Sequence, residues 1–300
     1  MTAPSPKAPP AFRMRSLHLP FVLALLLAAP SAARADAPGD AAANLFAERT
    51  ALLAADVKCR LLAAPVRNAL TATAAQARAG ANRAGWSDVR LDGVEQRAGA
   101  AGAARTCSDP LVAAAAKSAT AGFDGWAVMH AIDLPGQLRA WRVRRTPDPN
   151  GGWLLSQTAG AARFGLRGAG DRAELAITLP EPAAEPVTAR LYFRDRARAP
   201  RPLLNVPGLM RAQGLAGAAA PRSLSVSQLA SARRIERDPK TGAQTLAFIF
   251  PPATLAALAA LDPRESAEIA LGPAEAPTQR FFIEIGDLAV AAAFLSARPL

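Results

Sequence analysis

The spacing of apolar residues changes partway along the chain. From residue 40 to about 122 they recur every three to four or seven positions, and nothing there alternates as a strand does. Phe46, Leu53, Val57 and Leu61 lay one stripe along a first helix that Asp40 can cap. Pro65 fits the first turn of a second helix, whose small or apolar face runs through Val66, Leu70, Thr73 and Ala77 to about Gly80. Ser87 opens a third helix, with Leu91 and Val94 on one side. Asp109 and Pro110 open a fourth as cap and first helical residue, and Gly122 is read as its end.

Beyond residue 125 the period falls to two. Trp141 and Val143 alternate with Arg142 and Arg144, and the turn-forming run 147–152 leads into a returning strand over 153–158. Further strands are expected near 161–167, 172–179 and 187–194. A long loop over 197–222 follows, then a hairpin of 232–237 with 244–250 around the turn 238–242. A helix over 252–261, strands at 266–271 and 279–285, and a closing helix over 288–297 complete the reading. Asp287 is the expected cap of that last helix, with Leu288, Ala292 and Leu295 facing inward. Strands joined by hairpins with helices gathered late predict an α+β fold. It has an alanine-rich helical N-terminal domain over 36–122 and a mainly antiparallel β domain with two late helices over 123–300, the join lying between Gly122 and Gly136.

Residues 1–35 read as a secretory leader. Lys7, Arg13 and Arg15 precede the apolar run 21–29, and Ala33-Arg34-Ala35 forms a small-residue cleavage site, placing the cut after Ala35. The run is too short for a stable span, which needs about 20 residues. The expected location is the periplasm or the medium. There the chain's two cysteines, Cys59 and Cys107, are expected to pair, which removes both thiols from catalysis. The leader takes four basic and no acidic residues with it, leaving 31 basic against 24 acidic. Nearly all the basic residues are arginine, so the surplus is either compositional or an attraction to anionic partners.

Candidate chemistry is sparse. His130 is the only histidine outside the leader, whereas a catalytic zinc site takes three protein ligands. Read as a strand, its segment puts Trp126, Val128, His130 and Ile132 on one face, making His130 a core residue with a backbone partner. There is no Gly-x-Ser-x-Gly elbow. The run 165–170, with three glycines, lacks the Lys-Ser/Thr ending of a phosphate loop and reads as a hairpin turn. Arg190, Arg194, Arg196, Arg198 and Arg201, with Tyr192 among them, form a candidate anion-binding patch in which Arg190, Tyr192 and Arg194 share one strand face. A second set, Arg139, Arg142, Arg144 and Arg145, flanks Trp141. With Trp141 inward and Arg142 and Arg144 outward, there is no stacking platform for bases, so a nucleic-acid partner is not expected. Neither a metal nor a cofactor is expected.

The stretch 47–62 (AERTALLAADVKCRLL), with Gln76-Ala77-Arg78 and the second cysteine in Arg105-Thr106-Cys107-Ser108, resembles uncharacterised exported proteins of Alphaproteobacteria. The resemblance implies a periplasmic or secreted protein and carries no activity. The order strand, helix at 252–261, two strands, Gly286-Asp287 and helix is similar in layout to the end of small invasion-associated secreted proteins, without their cysteines. The function expected is non-enzymatic binding of an envelope protein or an anionic envelope component. The alternative is a hydrolase of envelope polymers working through carboxylates such as Asp124 and Asp133.

Overall fold

The computed structural model describes residues 38–149, 151–169, 172–180, 188–202, 214–237, 242–273 and 275–298. The expected leader and its cleavage site lie outside the described residues, as do 203–213 of the expected long loop and 238–241 of the expected hairpin turn. Residues 36–300 form one compact unit.

Four helices come first: α1 (Pro38–Cys59), α2 (Ala64–Arg83), α3 (Asp88–Ala104) and α4 (Pro110–Val128). The expected caps form at two of them. Ser87 Oγ accepts the Arg90 N–H and Asp109 Oδ1 the Leu111 N–H, while Pro65 occupies the first turn of α2. Because α1 packs against both α2 and α3, its buried face is broader than one stripe and includes Ala43, Phe46, Leu52 and Ala55. Val57, expected on that stripe, is 83% exposed. At the end of α1, Arg60 takes a left-handed conformation (φ 51°) and its N–H closes on the Asp56 carbonyl at 2.8 Å. The buried Asp56 carboxylate then takes the Leu62 N–H and the Arg67 guanidinium, fixing the α1–α2 turn. Although burial alone would raise it, those hydrogen bonds hold this carboxyl below the ordinary aspartate pKa. Cys59 and Cys107 are disulfide-bonded, Cα to Cα 5.4 Å, tying the end of α1 to the α3–α4 turn. Alanines bury little area each, so a cross-link over a 48-residue separation, worth about 4 kcal/mol in the chain-entropy model, carries a large share of this layer's stability.

Helix α4 does not stop at Gly122. It runs through Gly122 and Gly125 to Val128, because its inward face continues from Val112, Ala116 and Phe123 to Trp126. The helical segment therefore ends six residues later than the sequence predicts, and the expected strand around His130 is the end of a helix. His130 is exposed at the bend before the first strand, so its expected core role is overturned.

Eleven strands are present among the described residues, all paired antiparallel. β1 (Ala131–Leu134), β2 (Trp141–Arg144), β3 (Trp153–Ala159), β4 (Ala162–Arg167) and β5 (Glu174–Pro180) follow one another by hairpins. β6 (Ala189–Arg194) and β7 (Ser225–Leu229) belong to a second sheet, and the chain crosses back for β8 (Ala232–Arg237) and β9 (Gln244–Phe250). After α5 (Ala253–Ala259) come β10 (Ser266–Leu271), β11 (Gln279–Glu284) and α6 (Leu288–Ser296). The sheet orders are β1-β2-β3-β4-β5-β9-β8 and β11-β10-β6-β7. Their apolar faces share one core, in which Trp141, Phe164, Phe248 and Phe250 of the large sheet meet Leu191, Ile269, Leu271 and Ile283 of the small one. The fold is α+β, as the change of period predicts. Strand β7 falls between polar residues and escaped the period-two reading.

Helix α6 closes the molecule on Leu288, Val290, Ala291 and Phe294, not on the Leu288–Ala292–Leu295 face. It packs against α2 as well as β2, so Trp126 and Ala293 serve both the helical core and the sheet core. Arg145 completes the join. Its guanidinium donates to the Trp126 and Met129 carbonyls at the end of α4 and to the Phe294 and Ala297 carbonyls at the end of α6, at 2.8–2.9 Å, and it lies 4.5 Å from the Phe294 ring. Helix C-termini carry unpaired carbonyls and partial negative charge, and one planar cation serves two of them.

Candidate functional site

A cleft of about 630 Å³ opens on the outer face of the large sheet. Alternation builds it. Trp141 and Val143 are buried, so Arg142 and Arg144 project outward, and across the β2–β3 and β3–β4 ladders they share that face with Ser156, Thr158 and Arg163. Gly165 pairs with Ser156 at positive φ, where a Cβ would collide with the Leu155 carbonyl, so the strands approach closely there only because it is glycine.

One wall is the segment carrying Arg139, and a distant carboxylate holds it. Glu284, at the end of β11, is buried and accepts the backbone N–H groups of Gln137, Leu138 and Arg139 at 2.5–2.8 Å. A side chain at Gly136 would strike this carboxylate and the Arg139 carbonyl. Arg139 itself donates to the Phe282 carbonyl. Burial pulls its guanidinium below the ordinary arginine pKa, with Glu284 opposing.

The other wall is Trp153 beneath two cations, its ring 4.9 Å from the Arg163 guanidinium and 5.5 Å from that of Arg167. Arg163 donates to Asp148 at 2.5 Å and to the Ser156 hydroxyl at 2.9 Å, and Arg167 pairs with Glu236. Among the described residues lining the cleft, Asp148 is the one carboxylate, and it is already engaged, against Arg139, Arg142, Arg144 and Arg163; Asp133 lies across the β1–β2 ladder from Arg142 without lining the cleft. Arg142 and Arg144 are exposed and form no ion pair among the described residues. The arrangement offers guanidinium forks and two hydroxyls in a concave surface, which suits a phosphate- or carboxylate-bearing ligand.

The sequence set Arg139, Arg142, Arg144 and Arg145 is therefore split. Three line this cleft and Arg145 leaves it for the helix ends. Arg163 and Trp153 were missed as members, although outward Arg163 beside inward Phe164 is the same alternation that revealed Arg142.

The candidate patch on β6 is not assembled as one surface. Arg190, Tyr192 and Arg194 do share a strand face, but Arg194 is 4% exposed and forms a two-pronged pair with Glu265 at 2.5 and 2.8 Å, with a third bond to the Ala199 carbonyl. The pair with Glu265 raises its pKa against the opposing effect of burial. Tyr192 lies under Arg222, which pairs with Glu268, and Arg198 pairs with Asp195. Arg190 reaches the Ser227 hydroxyl, and Arg196 and Arg201 are exposed. Arg194 is thus a structural cation, because the segment 195–199 folds back over it.

Neither this cleft nor a smaller one in the helical layer is lined by Asp124, Asp133 or His130. No cluster of three potential metal-ligating side chains exists among the described residues, and no described helix is long and apolar enough to cross a membrane. No family model matches the chain, and neither a curated protein nor a solved structure matches it.

Proposed function

We propose that the protein is an exported binding protein whose arginine-lined cleft holds an anionic envelope component, in the first instance a phosphorylated saccharide headgroup. One observation carries the reading: four arginines converge on a concave surface whose one carboxylate among the described lining residues, Asp148, is already bonded to Arg163, while Arg142 and Arg144 form no ion pair among the described residues. A volume of about 630 Å³ lies within the range of small-molecule sites, roughly 300–1,000 Å³. The disulfide and the leader-like residues 1–35 support a periplasmic or secreted location.

Isothermal titration with a bisphosphorylated glucosamine disaccharide, against the unphosphorylated sugar, tests this. Binding should require the phosphates. Arg142→Gln with Arg144→Gln should weaken it roughly a hundredfold, two charge-assisted hydrogen bonds at about 1.5 kcal/mol each. Both side chains are exposed, so the melting temperature should not move. Equal affinity for the two sugars, or an unaffected double variant, would contradict the reading.

A further inference from the structure

The helical layer holds a second, chemically different cleft. It measures about 210 Å³ and lies between α2 and α4, with Val66, Ala69, Leu70, Phe123 and Trp126 as its apolar lining. At roughly 30 Å³ per water, the space matches about seven waters, the scale of a single ring or a short acyl chain. Arg49, reaching over from α1, also lines it.

Arg49 is the informative residue. One of its N–H groups bonds the Thr73 carbonyl at 2.5 Å, and it forms no ion pair among the described residues. A guanidinium has five donors in a rigid fork. Elsewhere in this layer the partly buried charges are matched: Asp56 meets Arg67, and Arg78 meets Asp92 and Glu95. Partial burial pulls Arg49 below the ordinary arginine pKa, and the neighbouring Glu48 charge opposes this without pairing with it. A guanidinium held at the edge of an apolar slot by one carbonyl, its other donors free of any ion pair among the described residues, is placed to receive an anionic group there.

We infer that this slot is a binding site for a small amphiphilic monocarboxylate, its apolar body lying between α2 and α4 and its carboxylate on the free edge of Arg49. The site shares no residue with the arginine-lined cleft, so the inference stands whether or not that cleft binds phosphates. The carboxylate accepts two N–H bonds from the guanidinium, and the chain or ring covers Phe123 and Trp126. An anion without an apolar body leaves the lining wet, and an apolar molecule without an anion leaves the cation unmatched. Gly122 lines the slot too, and a Cβ placed on it meets no atom within 4 Å. A larger side chain there fills the slot without straining the helix.

The experiment is calorimetric titration of the oxidised protein with octanoate and with octanol, together with the indole N–H resonance of Trp126. Octanoate should bind roughly ten- to a hundredfold more tightly than octanol, the span of one charge-assisted interaction, and should shift Trp126. Arg49→Gln should bring the two affinities together. Gly122→Leu should abolish binding of both while the melting temperature holds or rises, leucine being the better helix former. That variant keeps the test decisive if Arg49→Gln folds poorly. Equal affinity for octanoate and octanol, no octanoate binding, or octanoate binding unaffected by Gly122→Leu would each overturn the inference.

Discussion

The helical layer and the sheet sandwich solve the same problem with different materials. The sandwich buries tryptophan and phenylalanine in a continuous core, with Trp141, Phe164, Phe248 and Phe250 all at or below 1% exposure. The helical layer has mostly alanine to bury and adds a disulfide, the Asp56–Arg67 turn lock and the Arg78 charge cluster. Where side chains are large, packing suffices. Where they are small, covalent and ionic ties supply what area does not. The same contrast separates the two clefts: strand alternation sets out arginines on a sheet face, while small residues on two helices leave an apolar slot.

The comparison breaks first, and furthest, in the sandwich. Phe164→Ala should cost about 3–5 kcal/mol in denaturant unfolding, since Phe164 packs edge-on against both Trp141 and Phe250. Replacing both cysteines by serine should cost at most about 4 kcal/mol. The loss should fall on the helical signal, with α1 and the α3–α4 turn losing hydrogen-exchange protection before the strands do. Arg145→Met should cost about 2–3 kcal/mol by leaving helix-end carbonyls unpaired. Because Trp126 and Ala293 belong to both cores, it should lower one shared transition instead of separating two.

The smallest effect should be a gain. Asp287 begins α6 but does not cap it: both carboxylate oxygens are buried with no hydrogen-bond partner among the described residues. Burial raises its pKa, opposed by the Arg83 charge and reinforced by Glu284. A carboxyl whose folded pKa lies above its unfolded value, about 3.9, stabilises the fold below that value, and this contribution is lost as pH rises through the folded pKa. Asp287→Asn should therefore raise the melting temperature at pH 7. The advantage should shrink on acidification and vanish once the carboxyl is protonated in both states. An advantage independent of pH would mean that charge burial is not the cause.

Periodicity made the fold class, most strands and two helix caps legible. It failed where local cues compete with tertiary contacts. Gly122 and Gly125 look like helix stops, yet Phe123 and Trp126 have partners that carry α4 past them. Asp287 has the residue type of a cap, but its carboxylate is buried without a backbone donor. The arginines divided for the same reason. Their outward positions on β2 and β6 follow from alternation. That Arg194 would find Glu265 seventy-one residues away, or Arg145 the ends of two helices, depends on the packing of distant segments, which spacing does not encode. Arg49 gave no signal at all, since an arginine on a helix is unremarkable until its neighbours prove to be apolar.

The proposed function rests on the arginine-lined cleft, and one of the chain's four tryptophans, Trp153, reports on it directly. Trp153 lines that cleft, Trp126 lines the helical slot, and Trp141 is locked in the core by bonds from its indole nitrogen to the Glu284 and Ile285 carbonyls. Titrating the bisphosphorylated disaccharide into nitrogen-15-labelled protein should shift the Trp153 indole resonance progressively and leave Trp126 in place. A silent Trp153, or a shift confined to Trp126, would contradict the account.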